Sequence, residues 1–278
     1  MKMFTKICLG IALISIGLGI GLLLIAGVNG LSLRGTPLAT FEDTVRDVRG
    51  LDLRMDFGEI YITQGETFSI EARNLYREAD LISEVSDGIW VISHETSDNL
   101  NILGFNIPVS LGLRSFKTPS IRITIPEDFK AEDVRISLDA GSLKAENLSA
   151  DRGMFTVNAG SLEIDGLTVE EESRYYVDAG KIRLEQADIN NITVECNVGL
   201  VYIDGIILGD NSMFCDVGSI SLKLNDDMEY YSFDIDSDLG NVIINNRKYR
   251  NYKSAKENNN GSFRLNVDVG SVTMDFIE

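Results

Sequence analysis

From Val134 onward the chain alternates apolar and polar residues with period 2, and a short corner of Asp or Asn, one further residue and Gly interrupts the alternation at regular intervals. Period 2 is the signature of β-strand, because successive side chains leave opposite faces of the backbone. The corners are Asp139/Gly141, Asn158/Gly160, Asp178/Gly180, Asn197/Gly199, Asp216/Gly218, Asp238/Gly240 and Asp268/Gly270, with an outlying copy at Asp56/Gly58. From Asp139 the anchors lie 19, 20, 19, 19, 22 and 30 residues apart. That period suits one coil of a solenoid and is too short for a propeller blade or a helix pair.

The same phase recurs around every glycine. Two residues after it stand Leu143, Leu162, Ile182, Val201, Ile220, Val242 and Val272, and four after it Ala145, Ile164, Leu184, Ile203, Leu222, Ile244 and Met274. Five before it stand Ile136, Phe155, Tyr175, Val194, Met213, Ile235 and Leu265, and three before it Leu138, Val157, Val177, Cys196, Cys215, Ser237 and Val267. These positions are predicted to face inward, whereas Lys144, Glu163 and Arg183 mark the solvated face. Each coil therefore reads as strand, tight corner, strand, looser turn. At the corner an Asp or Asn side chain can bond nearby amides, and Gly permits a positive φ or a close backbone approach. Carboxylates stacked at the ~4.8 Å strand spacing would repel. The run Asp139, Asn158, Asp178, Asn197, Asp216 lowers that cost by alternating acid with amide.

The predicted fold class is all-β: a single-stranded β-solenoid of coils of about 19 to 20 residues, preceded by one N-terminal transmembrane helix. Residues 1–30 form a cytoplasmic stub and anchor, 31–40 a linker, and 41–278 the solenoid ectodomain. Within the ectodomain, 41–133 are irregular first coils, 134–246 regular coils, 247–261 a basic loop and 262–278 the last coil. Ile7–Val28 runs 22 residues without a charge behind Lys2 and Lys6, long enough to cross a bilayer with the amino terminus inside. Residues 99–117 are apolar for a surface insertion and read as a cap over the first coil.

Charge and residue inventory narrow the chemistry. The chain has 278 residues and a net charge of −18, a surface that repels nucleic acid. Against that background Arg247, Lys248, Arg250, Lys253 and Lys256, with Tyr249 and Tyr252, form a basic segment suited to an anionic wall polymer or headgroup. The single histidine, His94, lacks Cys or His companions and reads as structural; no catalytic, cofactor or metal site is predicted. A calcium ladder on the Asp column is disfavoured by one acid per coil and by the interleaved amides. Cys196 and Cys215 are expected to stack as buried free thiols.

With its Asp/Asn-x-Gly corners, the SIRITIPED segment from Ser120 and the closing GSVTMDF from Gly270, the chain resembles the bacterial putative-adhesin family of toast-rack β-solenoids over about residues 41–278. The resemblance implies a membrane-anchored surface role, sometimes linked to envelope stress, and transfers no catalytic residue. The leading expectation is a non-enzymatic cell-surface protein, outside the cell membrane, that binds a wall polymer or another membrane or surface protein. One alternative is an extracellular polysaccharide-processing enzyme, for which Asp139, Asp178 and Asp216 are the ordered carboxylates. Another is an accessory component of an envelope-stress system.

Overall fold

The computed structural model of the protein describes residues 38–75, 81–95, 99–102, 105–108, 118–256 and 260–277. The expected membrane anchor lies outside them; among the described residues no helix is long and apolar enough to cross a membrane. The strands are β1 (Ala39–Thr44), β2 (Gly50–Gly65), β3 (Ser69–Leu75), β4 (Leu81–Ser86), β5 (Ile89–His94), β6 (Asn99–Ile102) and β7 (Phe105–Pro108). They continue with β8 (Ser120–Pro126), β9 (Ala131–Asn190), β10 (Ile192–Leu224), β11 (Tyr231–Ile244), β12 (Arg247–Tyr249), β13 (Asn251–Ser254) and β14 (Gly261–Phe276). The chain divides into two units, Leu38–Ser97 with Lys117–Glu278, and Met1–Pro37 with Asp98–Phe116. In the second, β6 and β7 form an antiparallel hairpin of their own. The side chains that would test a cap over 99–117 lie outside the described residues.

In the first unit β9 and β10 are continuous strands that wind through several coils, and β10 lies parallel to and in register with β9. Val201 stands beside Ile182 and Ile203 beside Leu184, as the inward columns require. All four predicted columns are buried, no member being more than 3% exposed. Each Val, Leu, Ile, Phe or Met among them contributes about 1.5–3 kcal/mol by leaving water. The looser turn is itself a strand. Gly205–Leu208 pairs with Ala187–Asn190, and the buried Leu148, Leu167, Ile189 and Ile207 line this third face. Left-handed Asn147, Gln186 and Asn191 turn the corners on either side of it. Asn191 holds its corner by donating Nδ2 to the Glu171 carbonyl at 2.8 Å and accepting the Asp210 N–H at 2.9 Å.

Coil order departs from chain order at the carboxyl end. β14 pairs with β10 on one side and β11 on the other, so Gly270 stands between Gly218 and Gly240. The last coil in sequence is thus the next-to-last layer. The basic segment, expected as a loop between the final coils, instead folds back as β12 and β13, antiparallel to the outer edge of β11. The physical reason is that an uncovered edge exposes a row of backbone donors and acceptors. Tyr252 packs on Phe233 (5.7 Å) and Tyr249 (4.9 Å), and Phe233 stacks on Phe263 (6.0 Å), which plugs this end with aromatic rings.

The opposite end is closed differently. β2 is a regular coil, in register with Val134–Ala145 of β9 through Gly58 and Gly141. Its two halves are covered by β5 and β8; β8 carries β3 and then β1, whereas β5 carries β4. Trp90, fully buried, donates its indole N–H to the Ser83 hydroxyl at 3.1 Å, and Phe68 sits edge-on to Trp90 and Phe129. His94 is buried on β5, within this packing. Atypical terminal layers that seal a repeat core are what a solenoid needs.

Candidate functional site: the corner ladder and the basic end

Close approach explains the corner glycines. A Cβ added at Gly141 would lie 1.9 Å from the Gly58 carbonyl oxygen, at Gly160 1.9 Å from that of Gly141, and at Gly180 2.3 Å from that of Gly160. The series continues through Gly199 on Gly180 (2.2 Å), Gly218 on Gly199 (1.9 Å), Gly270 on Gly218 (1.7 Å) and Gly240 on Gly270 (1.5 Å). Eight coils therefore stack their corners backbone to backbone, with no room for any side chain. Beside this ladder runs the Asp/Asn column, exposed along its length apart from a half-buried Asp56. Asn158 donates Nδ2 to Asp139 at 2.8 Å, and Asn197 to Asp178 at 2.8 Å. The amides thus bond the neighbouring carboxylates as well as diluting their charge. Asn158→Asp is expected to cost about 1 kcal/mol at neutral pH. Because repulsion needs ionised partners, that cost shrinks as pH falls through the carboxylate range; denaturant titrations of both proteins at neutral and acid pH measure it. A cost that did not vary with pH would leave repulsion without a role.

Between the Asp/Asn anchor and the glycine, every corner carries an apolar residue. Phe57, Val198, Val217, Val269 and Leu239 are exposed there, Leu239 at 71%. Period-2 reading passes over this seam, because two successive residues point outward at the corner. The signal was present in the invariant apolar character of that position.

Lateral faces carry ladders of ion pairs between coils. Arg152 bridges Asp133 (2.9 Å) and Glu171 (3.1 Å), and Glu163 accepts from Lys181 (3.1 Å) near Lys144 (3.4 Å). The hydrogen bond from Arg152 holds the Asp133 carboxyl below its ordinary range, and that from Lys181 does the same for Glu163. Arg183 lies over the Tyr202 ring, 4.6 Å from its centroid. A shallow groove of about 170 Å³ gathers Lys144, Glu146, Glu163, Asp165, Arg183 and Glu185. Glycoside hydrolysis needs one carboxyl held protonated near neutrality. Glu163 is shifted the opposite way, and Asp139, Asp178 and Asp216 stand on the outer corner rather than in a groove.

The basic residues are brought together at one end of the first unit. Arg247, Lys248, Arg250, Lys253 and Lys256 are all exposed; Lys253 reaches Asp234 at 3.0 Å, and the other four make no ion pair among the described residues. Tyr249 and Tyr252, grouped with them in the sequence, are instead half-buried and belong to the aromatic plug. The strand order places β1 at the far end of the same stack. Seven coil intervals at ~4.8 Å separate the Gly58 corner from the Gly240 corner, or about 34 Å.

A solenoid with sealed ends, stacked glycine corners and three-sided coils is a toast-rack architecture. Residues 59–273 match the family described as Toastrack DUF4097, and the chain belongs to it. Similar crystal structures include a "putative adhesin" from Bacteroides fragilis, 16% identical, covering 87% of this chain and 98% of that one at a TM-score of 0.48. A "putative cell adhesion protein" from Clostridium sporogenes is 14% identical over 86% of this chain and 100% of that one, TM-score 0.36. A "putative lipid binding protein" from Parabacteroides distasonis is 11% identical over 88% and 98%, TM-score 0.36. No curated protein matches the chain.

Proposed function

We propose that this protein is a non-enzymatic binding module of the cell surface, held by residues 1–30 in the cell membrane with its amino terminus inside, whose basic end engages an anionic polymer of the envelope. The observation that carries the reading is charge segregation. Four cations without an ion pair among the described residues, Arg247 and Lys248 on β12 with Arg250 and Lys256 flanking β13, lie within a ten-residue stretch of a chain of net charge −18. An acidic body repels polyanions, so contact is confined to that end. The ladder of parallel coils acts as the spacer.

The test uses the purified full chain in detergent and immobilised poly(glycerol phosphate). Wild type is expected to bind, with affinity falling as salt rises. A variant carrying Arg247→Gln, Lys248→Gln, Arg250→Gln and Lys256→Gln should bind about 10-fold more weakly with an unchanged Tm. Equal binding by the two proteins, or none by wild type, would refute the reading.

A further inference from the structure

Cys196 and Cys215 stand three residues before Gly199 and Gly218, at the same inward position of successive coils. Their register partners on the outer sides are Val177 and Val267, so the column runs Val, Cys, Cys, Val through adjacent layers. Both thiols are free and only 3% and 2% exposed. Valine suffices above and below, so packing alone does not call for sulfur at these two layers.

We infer that Cys196 and Cys215 are a redox pair that a peroxide closes into a disulfide, stapling two successive coils of the solenoid. Neighbouring parallel strands set Cα atoms about 4.8 Å apart, inside the roughly 4.4–6.8 Å range that a disulfide spans. Side chains on such neighbours run parallel, so closure needs the sulfurs to turn toward each other. The corner beside them already draws the backbones together, as the 1.9 Å between a Cβ at Gly218 and the Gly199 carbonyl oxygen shows. The sulfurs of Cys196 and Cys215 lie 3.3 and 3.1 Å from where Cβ atoms of Gly199 and Gly218 would be.

The chemistry balances within the pair. One thiolate of the pair attacks one peroxide oxygen, and the O–O bond breaks to leave a sulfenic acid and hydroxide, which takes up that thiol's proton as water. The second sulfur then displaces the hydroxyl from the first, and that hydroxyl leaves with the second thiol's proton as another water. Two thiols are oxidised by two electrons and one peroxide is reduced to two waters.

The experiment takes the full chain with Cys8→Ser, purified under reductant and treated with hydrogen peroxide while folded. Alkylation, proteolysis and mass spectrometry should find one intramolecular link between the Cys196 and Cys215 peptides, two hydrogens lighter than the thiol pair. Tm should rise by up to about 10 °C, because the bond closes a 19-residue loop, and fall back with reductant. Adding Cys215→Ser should abolish both the link and the rise, leaving Cys196 oxidised alone. If that variant does not fold, the treated and untreated parent proteins still decide. Thiols that stay free, oxidise singly in the parent, or link between molecules would overturn the inference.

Discussion

Gly160→Ala is expected to lower the stability of the folded chain by about 3–5 kcal/mol, a large effect for one methyl group. The methyl carbon would sit 1.9 Å from the Gly141 carbonyl oxygen and 3.0 Å from the Gly141 nitrogen, and backbone atoms cannot turn aside as a side chain can. Position 160 also holds φ at +145°, where an L side chain is strained even in open space. Relief requires the two coils to separate at the corner, which breaks ladder hydrogen bonds in both layers. Denaturant unfolding followed by circular dichroism measures the loss, and hydrogen exchange should place the weakened amides beside Gly141 and Gly160. A loss under about 1 kcal/mol would show that the corner is not backbone-limited.

Deleting residues 261–278 is expected to unfold the carboxyl end through at least Tyr231–Ser254, not merely to shorten the stack by one coil. In chain order, removing the final coil would leave the preceding one resting on β10. Here β14 is the layer between β10 and β11, and Phe263 packs against both Tyr231 and Phe233. Its loss leaves β11 with no parallel neighbour and bares Met213, Cys215, Ile220 and Leu222 of β10, now 0–2% exposed. Fully exposing such side chains costs roughly 1.5–3 kcal/mol each. Hydrogen exchange of the truncated chain should show the amides of β11 to β13 unprotected, with association through the open edge of β10. Retained protection over Tyr231–Ile244 would mean that this coil can restack on β10 and that the inserted order is not required.

Three levels of this protein differ in how far the residues alone disclose them. The coil period, the inward columns and the glycine corners follow from the linear pattern, because period 2 and a fixed repeat length leave one way to bury Leu162, Ile182, Val201 and Ile220 together. The candidate binding end was partly readable. Its cations stand out against an acidic chain, but Tyr249 and Tyr252 share their polar neighbourhood and only packing against Phe233 assigns them to the plug. The third face was missed because its strands are too short for alternation to register: Gly205–Leu208 offers a single buried aliphatic residue, Ile207.

Coil order belonged wholly to the tertiary structure. Every regular coil presents the same columns and the same corner, so exchanging the layers at Gly240 and Gly270 leaves the one-dimensional pattern intact. What distinguishes them is long-range. Only β11 has β12 and β13 following closely enough to fold back on its edge, and a layer covered on that side must be the outermost. Local alternation specifies which face of a strand is buried, whereas the neighbour it is buried against is settled by which edges remain to be covered.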